Sequence, residues 1–148
     1  MPLARLFAMG MNSLVTKLHD RLGDHGFPDV RPAFAFVLLA ARDRALTGNE
    51  VAQLMGMTKQ AASKLVDAME EEHYLVRKPN PDDARSKSLH IAPKGRRLLE
   101  AAEAIYAELE AEWAEILGVS RVNAMRRDLV EVLLATHGGQ LPAIRPSR

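Results

Sequence analysis

The sequence predicts a mainly α-helical fold that carries one small β-hairpin. Three observations predict it. Apolar residues recur at helical spacing over most of the 148 residues. Only "YLVRKPNPDDARSKSLHIAP" joins two extended, alternating runs through a turn-rich centre. With 9 Gly, 8 Pro, 1 Trp, 2 Tyr and 4 Phe, the chain lacks the dense strand and turn signals of a sandwich or barrel.

The first helix runs over roughly residues 2–22. Leu6, Met9, Leu14 and Leu18 form its stripe, and Gly23, Gly26 and Pro28 end it. The opening "MPLARLFAMGMNSLV" has the outline of a signal peptide. Its apolar stretch is short, however, no small-residue cleavage site follows and the helical period continues. It is read as a structural helix, and the cytoplasm as the compartment. The second helix follows Pro32. "AFAFVLLAARDRAL" is apolar nearly all round until Arg42, which predicts the most buried helix; the alternation in "AFAFV" would suit a strand, but the length favours helix.

A short third helix starts with a capping box. Thr47 accepts from the backbone of Glu50 and Glu50 reaches back, Val51, Leu54 and Met55 share a face, and Gly56 stops the element. Thr58 then caps a fourth helix, "TKQAASKLVDAMEEEHYL", with Ala61, Ala62, Leu65, Val66 and Met69 on its apolar side. Its other side shows Lys59, Gln60, Ser63, Lys64 and Asp67. A short capped helix, a glycine turn and a longer capped helix make a helix-turn-helix. The hairpin at about 75–92 follows, with a Pro-Asn-Pro-Asp tip and with Leu89 and Ile91 facing one way. Pro93 opens a long helix. Its apolar stripe is Leu98, Ala102, Ile105, Leu109, Trp113 and Ile116, and Gly118 ends it. Ser120 caps the last helix, in which Val122, Met125, Leu129, Val132 and Leu133 form the stripe. Gly138 and Gly139 terminate that helix, and a tail follows.

Composition narrows the function classes. The chain is 47% hydrophobic and 26% charged, as in a soluble globular domain. No run approaches the roughly 20 apolar residues of a membrane span. The absence of cysteine excludes disulfides, thiolate zinc sites, iron–sulfur clusters and cysteine nucleophiles. The net charge of +1 is uninformative, but its distribution is not: residues 58–97 hold 9 basic and 6 acidic side chains, whereas residues 98–117 hold 6 acidic and none basic. A local positive excess next to a helix-turn-helix is a footprint for a polyanion.

A hairpin directly after the second helix of the turn is the winged-helix arrangement. A helix fits the major groove, and Thr58, Lys59, Gln60, Ser63 and Lys64 are its groove-facing candidates. Gln pairs bidentately with adenine, Lys donates to guanine, and Ser or Thr contacts phosphate or base. Singly, each residue suits an ordinary solvated face. Together with the basic hairpin they point to DNA.

The segment from Leu46 to Leu99 resembles the winged-helix core of the MarR family of bacterial transcription regulators. The match rests on the wing motif Asp83, Arg85, Leu89, Ile91 and then Ala92-Pro93-Lys94-Gly95, with Ala92 where the family commonly has a capping Thr. The resemblance implies that Arg85 enters the minor groove, that Asp83 pairs with it or braces the wing, and that Arg77, Lys78 and Lys87 lie beside phosphates. It also implies a twofold homodimer on a pseudo-palindromic double-stranded operator. Residues 1–30 and 98–148 would supply dimerisation helices and residues 31–97 the DNA-binding domain. A small aromatic or phenolic effector would release such a repressor. His19, His25, Tyr106 and Trp113 lie in segments that could border its crevice, but no ligand residue is assigned. No cofactor, metal or membrane is expected.

Other classes fit the residues less well. Glu70 and His73 form one Glu-x-x-His, a di-iron spacing that needs a second copy, and no Gly-rich phosphate loop or nucleophile elbow exists, so an enzyme is not expected. A winged helix that binds protein, or a metal-responsive regulator, stays open as an alternative.

Overall fold

Among the described residues, six helices and a two-stranded hairpin form in the expected order: α1 (Leu3–Asp24), α2 (Pro32–Ala41), α3 (Gly48–Met55), α4 (Lys59–Glu71), β1 (Leu75–Pro79), β2 (Lys87–Ile91), α5 (Pro93–Leu117) and α6 (Val119–Thr136). The structure, a computed structural model, describes residues 1–146. Two units are distinguishable. One is Met1–Pro28 with Ala101–Ala143; the other is Asp29–Glu100 with the chain's end from Ile144. Helix α5 contributes to both.

The second unit is built around α2, whose Phe34, Val37, Leu38 and Ala41 are buried. Val51 and Ala52 of α3, Val66 and Met69 of α4, Leu75, Leu89 and Leu98 complete this core. Full burial of each large aliphatic side chain contributes about 1.5–3 kcal/mol. The Phe34 and Tyr74 rings meet edge to face, with centroids 5.5 Å apart. Thr47 caps α3 by accepting from the Glu50 amide at 3.2 Å. The return half of the box differs from expectation: the Glu50 carboxylate accepts from the Thr47 hydroxyl at 3.4 Å. Gly56 takes a left-handed φ of 62° and closes α3. Thr58 accepts from the Ala61 amide at 3.1 Å and opens α4.

The hairpin is antiparallel with Leu75 opposite Ile91 and Pro79 opposite Lys87. Leu46, in the link before α3, exchanges two hydrogen bonds with Leu89, at 3.0 and 2.7 Å. Two main-chain bonds thereby tie β2 to the helix-turn-helix.

In the first unit, Leu18, Leu22, Ile105, Leu109 and Val122 are buried. Lys17 pairs with Glu112 at 3.0 Å, and Arg21 pairs with both Glu108 and Glu112. The Arg21 hydrogen bond, then that of Lys17, holds the Glu112 carboxyl below its ordinary pKa.

Four local expectations are corrected. Helix α4 ends at Glu71 rather than running to Leu75, because His73 adopts φ 67° and the Tyr74 amide bonds back to the Met69 carbonyl at 2.8 Å. This is the closure that glycine usually provides. Ala61 lies on the exposed side of α4. Ser120 does not cap α6, which starts at Val119 with Gly118 at the N-cap and no side-chain cap bond. Ile116, expected in the α5 stripe, is 81% exposed.

Candidate nucleic-acid interface

Helix α4 presents two chemically distinct sides. Ala62, Val66 and Met69 repeat at intervals of four and three and are buried. Thr58, Lys59, Gln60, Ser63 and Lys64 are all exposed. No ion pair engages Lys59 or Lys64 among the described residues, so both ammonium groups are available to a ligand. The Thr58 cap occupies one oxygen lone pair and leaves the hydroxyl proton available.

The wing is organised by its own polar side chains. Asn80 accepts from the Asp82 amide at 3.0 Å and donates to Ser86 Oγ at 2.9 Å. Asp83 Oδ1 accepts from the Arg85 amide at 2.9 Å. Such Asx turns hold a loop without burying it. Of the two alternatives for Asp83, the geometry shows the brace: it bonds the Arg85 backbone, and no Asp83–Arg85 ion pair forms among the described residues. Arg85, Lys78 and Lys87 are exposed. Ser88 Oγ and His90 Nε2 are 3.0 Å apart on the hairpin.

Arg77, expected beside phosphates, is engaged within the chain. Its Nη2 donates to Asp67 Oδ1 at 2.6 Å and its Nη1 to Glu70 Oε1 at 3.2 Å. Its backbone N–H donates to Glu70 Oε2 at 3.1 Å. Burial opposes its charge, but Asp67 and Glu70 outweigh that and hold its pKa above the ordinary value. The pairing has a plain cause: α4 and β1 run close enough for one guanidinium to fork between two carboxylates. The same pairing engages Glu70 of the Glu-x-x-His spacing.

Two contacts at the start of α5 were not anticipated. Lys94 Nζ donates to the Glu72 carbonyl at 3.0 Å and sits 4.5 Å from the Tyr74 ring centroid. Gly95 is buried where a Cβ would come within 2.6 Å of the Tyr74 carbonyl oxygen. The Lys-Gly pair of the wing motif thus joins α5 to the end of α4.

A cleft of about 530 Å³ lies beside this junction, lined by His73, Leu75, Val76, Pro93, Lys94 and Arg97 among others. A groove of about 460 Å³ runs along α5 and α6 past Ala107, Ala111, Val122 and Arg126. His19, His25, Tyr106 and Trp113 line neither. Among the described residues no group of three or more His, Asp or Glu is placed to hold a metal ion. No described helix is long and apolar enough to cross a membrane.

Residues 25–86 match the model of the MarR family. No curated protein matches the chain in sequence. Solved structures do match in fold. The transcriptional regulator Tm0710 from Thermotoga maritima aligns at 22% identity and TM-score 0.74, over 94% of this chain and 98% of that one. Wild-type MarR from E. coli, in its apo form, aligns at 22% identity and TM-score 0.71, over 90% and 98%. A MepR variant from S. aureus, bound to an oligodeoxyribonucleotide, aligns at 22% identity and TM-score 0.62, over 93% and 99%.

Proposed function

We propose that the chain, whose residues 25–86 match the MarR family model, is a homodimeric regulator that binds double-stranded DNA at a pseudo-palindromic operator. One observation carries the reading: the exposed side of α4 and the wing together offer Lys59, Lys64, Lys78, Arg85 and Lys87, all solvent-facing and none drawn into an ion pair among the described residues. Helix α4 reads the major groove through Gln60 and its neighbours. The Lys59 and Gln60 amides precede the first capped amide, so the helix end also suits a phosphate. Arg85, on the braced tip, is the minor-groove residue, where a narrow groove concentrates negative potential.

The dimer reading rests on the first unit. Leu6, Phe7 and Met9 of α1 and Met125, Leu129 and Val132 of α6 are each between 43% and 57% exposed. That much apolar surface on two helices is a burden for a solitary chain and an asset for a pair. A twofold pair of DNA-binding units calls for a twofold-related DNA sequence.

The finer reading is a repressor released by a small aromatic or phenolic effector. The cleft beside Val76 and Pro93 supports it, since its apolar walls suit an aromatic ring and Arg97 on its lining suits an anion, with Glu70 already held by Arg77.

Fluorescence anisotropy with a labelled random duplex across a salt series tests the central claim. The expected affinity falls steeply with salt, with a log–log slope of roughly −0.9 per neutralised phosphate. Flat behaviour would replace DNA by a protein partner. Selection of bound genomic fragments, repeated with benzoate as a probe anion, then identifies the operator and reads the release.

A further inference from the structure

Helix α4 is electrostatically ill-suited to its proposed task if taken alone. Lys59–Glu71 contains Lys59 and Lys64 against Asp67, Glu70 and Glu71. Asp67 lies one helical turn beyond Ser63 and Lys64, so it shares the side that would enter the groove. A carboxylate there faces phosphates. Arg77, reaching over from β1, meets both Asp67 and Glu70 with its guanidinium and fixes Glu70 a second time with its backbone N–H. The Arg77 side chain is 27% exposed while that of Asp67 is 61% exposed. The cation is therefore the inner partner and the carboxylate the outer one.

We propose that Arg77 is a positioning residue that masks the carboxylates of the recognition helix and fixes the wing against it, rather than a residue that touches DNA. The proposal rests on the DNA-binding reading and deepens it. Two effects combine. The guanidinium offsets the repulsion that Asp67 and Glu70 would exert on the sugar–phosphate backbone. Its three hydrogen bonds also hold the middle of β1 on α4, so Arg85 at the tip keeps a set relation to Gln60 on the helix.

A masking residue and a phosphate contact behave oppositely when the carboxylates are removed. The test uses the full chain, a labelled random duplex and a salt series, with Arg77→Ala and Arg77→Lys made in the wild-type background and in the double variant Asp67→Asn with Glu70→Gln. Alone, Arg77→Ala is expected to weaken binding roughly ten-fold at moderate salt, the scale of one screened charge interaction. In the double-variant background, where both carboxylates are amides, the same change is expected to cost about two-fold or less, because the sites couple. Arg77→Lys, which keeps the charge and loses the fork, is expected to fall between. The salt slope of Arg77→Ala stays at the wild-type value.

An equal loss in both backgrounds, or a slope shallower by about 0.9, would make Arg77 a direct phosphate ligand and overturn the proposal. Circular dichroism checks that each variant is folded; if Arg77→Ala is not, the comparison is made with Arg77→Lys and Arg77→Gln. Wild-type binding with an unaffected Arg77→Ala refutes this inference alone. A wild-type chain that ignores duplex DNA refutes the underlying reading and this one with it.

Discussion

Replacing Gly95 by alanine sets two opposed effects against each other. Gly95 lies in the first turn of α5, and alanine in a helix is favoured over glycine by about 1 kcal/mol. On propensity alone the variant would be more stable. The structure reverses the sign. An added Cβ would lie 2.6 Å from the Tyr74 carbonyl oxygen, 2.9 Å from Ile91 Cγ1 and 2.9 Å from Leu38 Cδ2. The two side-chain carbons belong to groups that can rotate. The carbonyl cannot yield easily, because it accepts the Ala92 amide at 2.9 Å and so anchors the start of α5. Overpacking of this kind costs about 1–3 kcal/mol, and a fixed backbone atom places it toward the upper end. After the propensity gain, a net loss of about 1–2 kcal/mol is expected. Urea denaturation followed by circular dichroism measures it, at one protein concentration because self-association raises apparent stability. The midpoint should fall with the slope unchanged. A midpoint at or above wild type would show that the junction of β1, β2 and α5 is looser than described.

Four further outcomes are expected. His73→Gly should raise the urea midpoint, because a left-handed φ costs an L residue about 1–2 kcal/mol and glycine almost nothing, less the entropy glycine loses on folding; an unchanged midpoint would mean the closure of α4 is unstrained. Arg85→Ala should weaken duplex binding and make the salt slope shallower while circular dichroism stays native, and affinity equal to wild type at every salt concentration would remove Arg85 from the interface. Leu129→Glu should convert a dimer into monomers in sedimentation velocity, whereas an unchanged mass would move the pairing surface elsewhere. Glu112 is paired in the folded chain, so its carboxyl pKa lies below the unfolded value; its contribution is present above the unfolded pKa and is lost as pH falls through the lower folded one. Midpoints recorded on acidification should therefore decline less steeply in Glu112→Gln than in wild type, and identical acid profiles would contradict the pairing with Arg21 and Lys17.

What could be read from the residues was what local chemistry determines. Thr47, Gly56 and Thr58 cap their helices because a hydroxyl and a missing Cβ act on atoms a few residues away. The wing followed from its alternation and its Asn-Pro-Asp tip. Contacts set by packing did not follow. Arg77 looked like any cation on a basic hairpin, and nothing in its neighbourhood revealed two carboxylates seven and ten residues earlier in the chain. Leu46 pairs with Leu89 as a single residue, and one residue has no period to detect. His73 closes α4 without the glycine that normally signals such an end. Ser120 had the right chemistry two residues too late, since Gly118 had already redirected the chain. The α6 stripe at Met125, Leu129 and Val132 was legible as apolar, but its exposure in one chain belongs to the fold.

The Arg77 amide has an effect beyond recognition. Sheet margins are prone to recruiting a further strand from another molecule through their spare amides. Along β1, positions 77 and 79 point their main-chain nitrogens the same way. The first is already committed to the Glu70 carboxylate, and the second is proline, which has no hydrogen to give. On the opposite margin, along β2, Leu46 takes up the amide and carbonyl of the central Leu89. The middle of each flank is thus already engaged, which leaves a ribbon that projects into solvent little continuous edge to offer another strand.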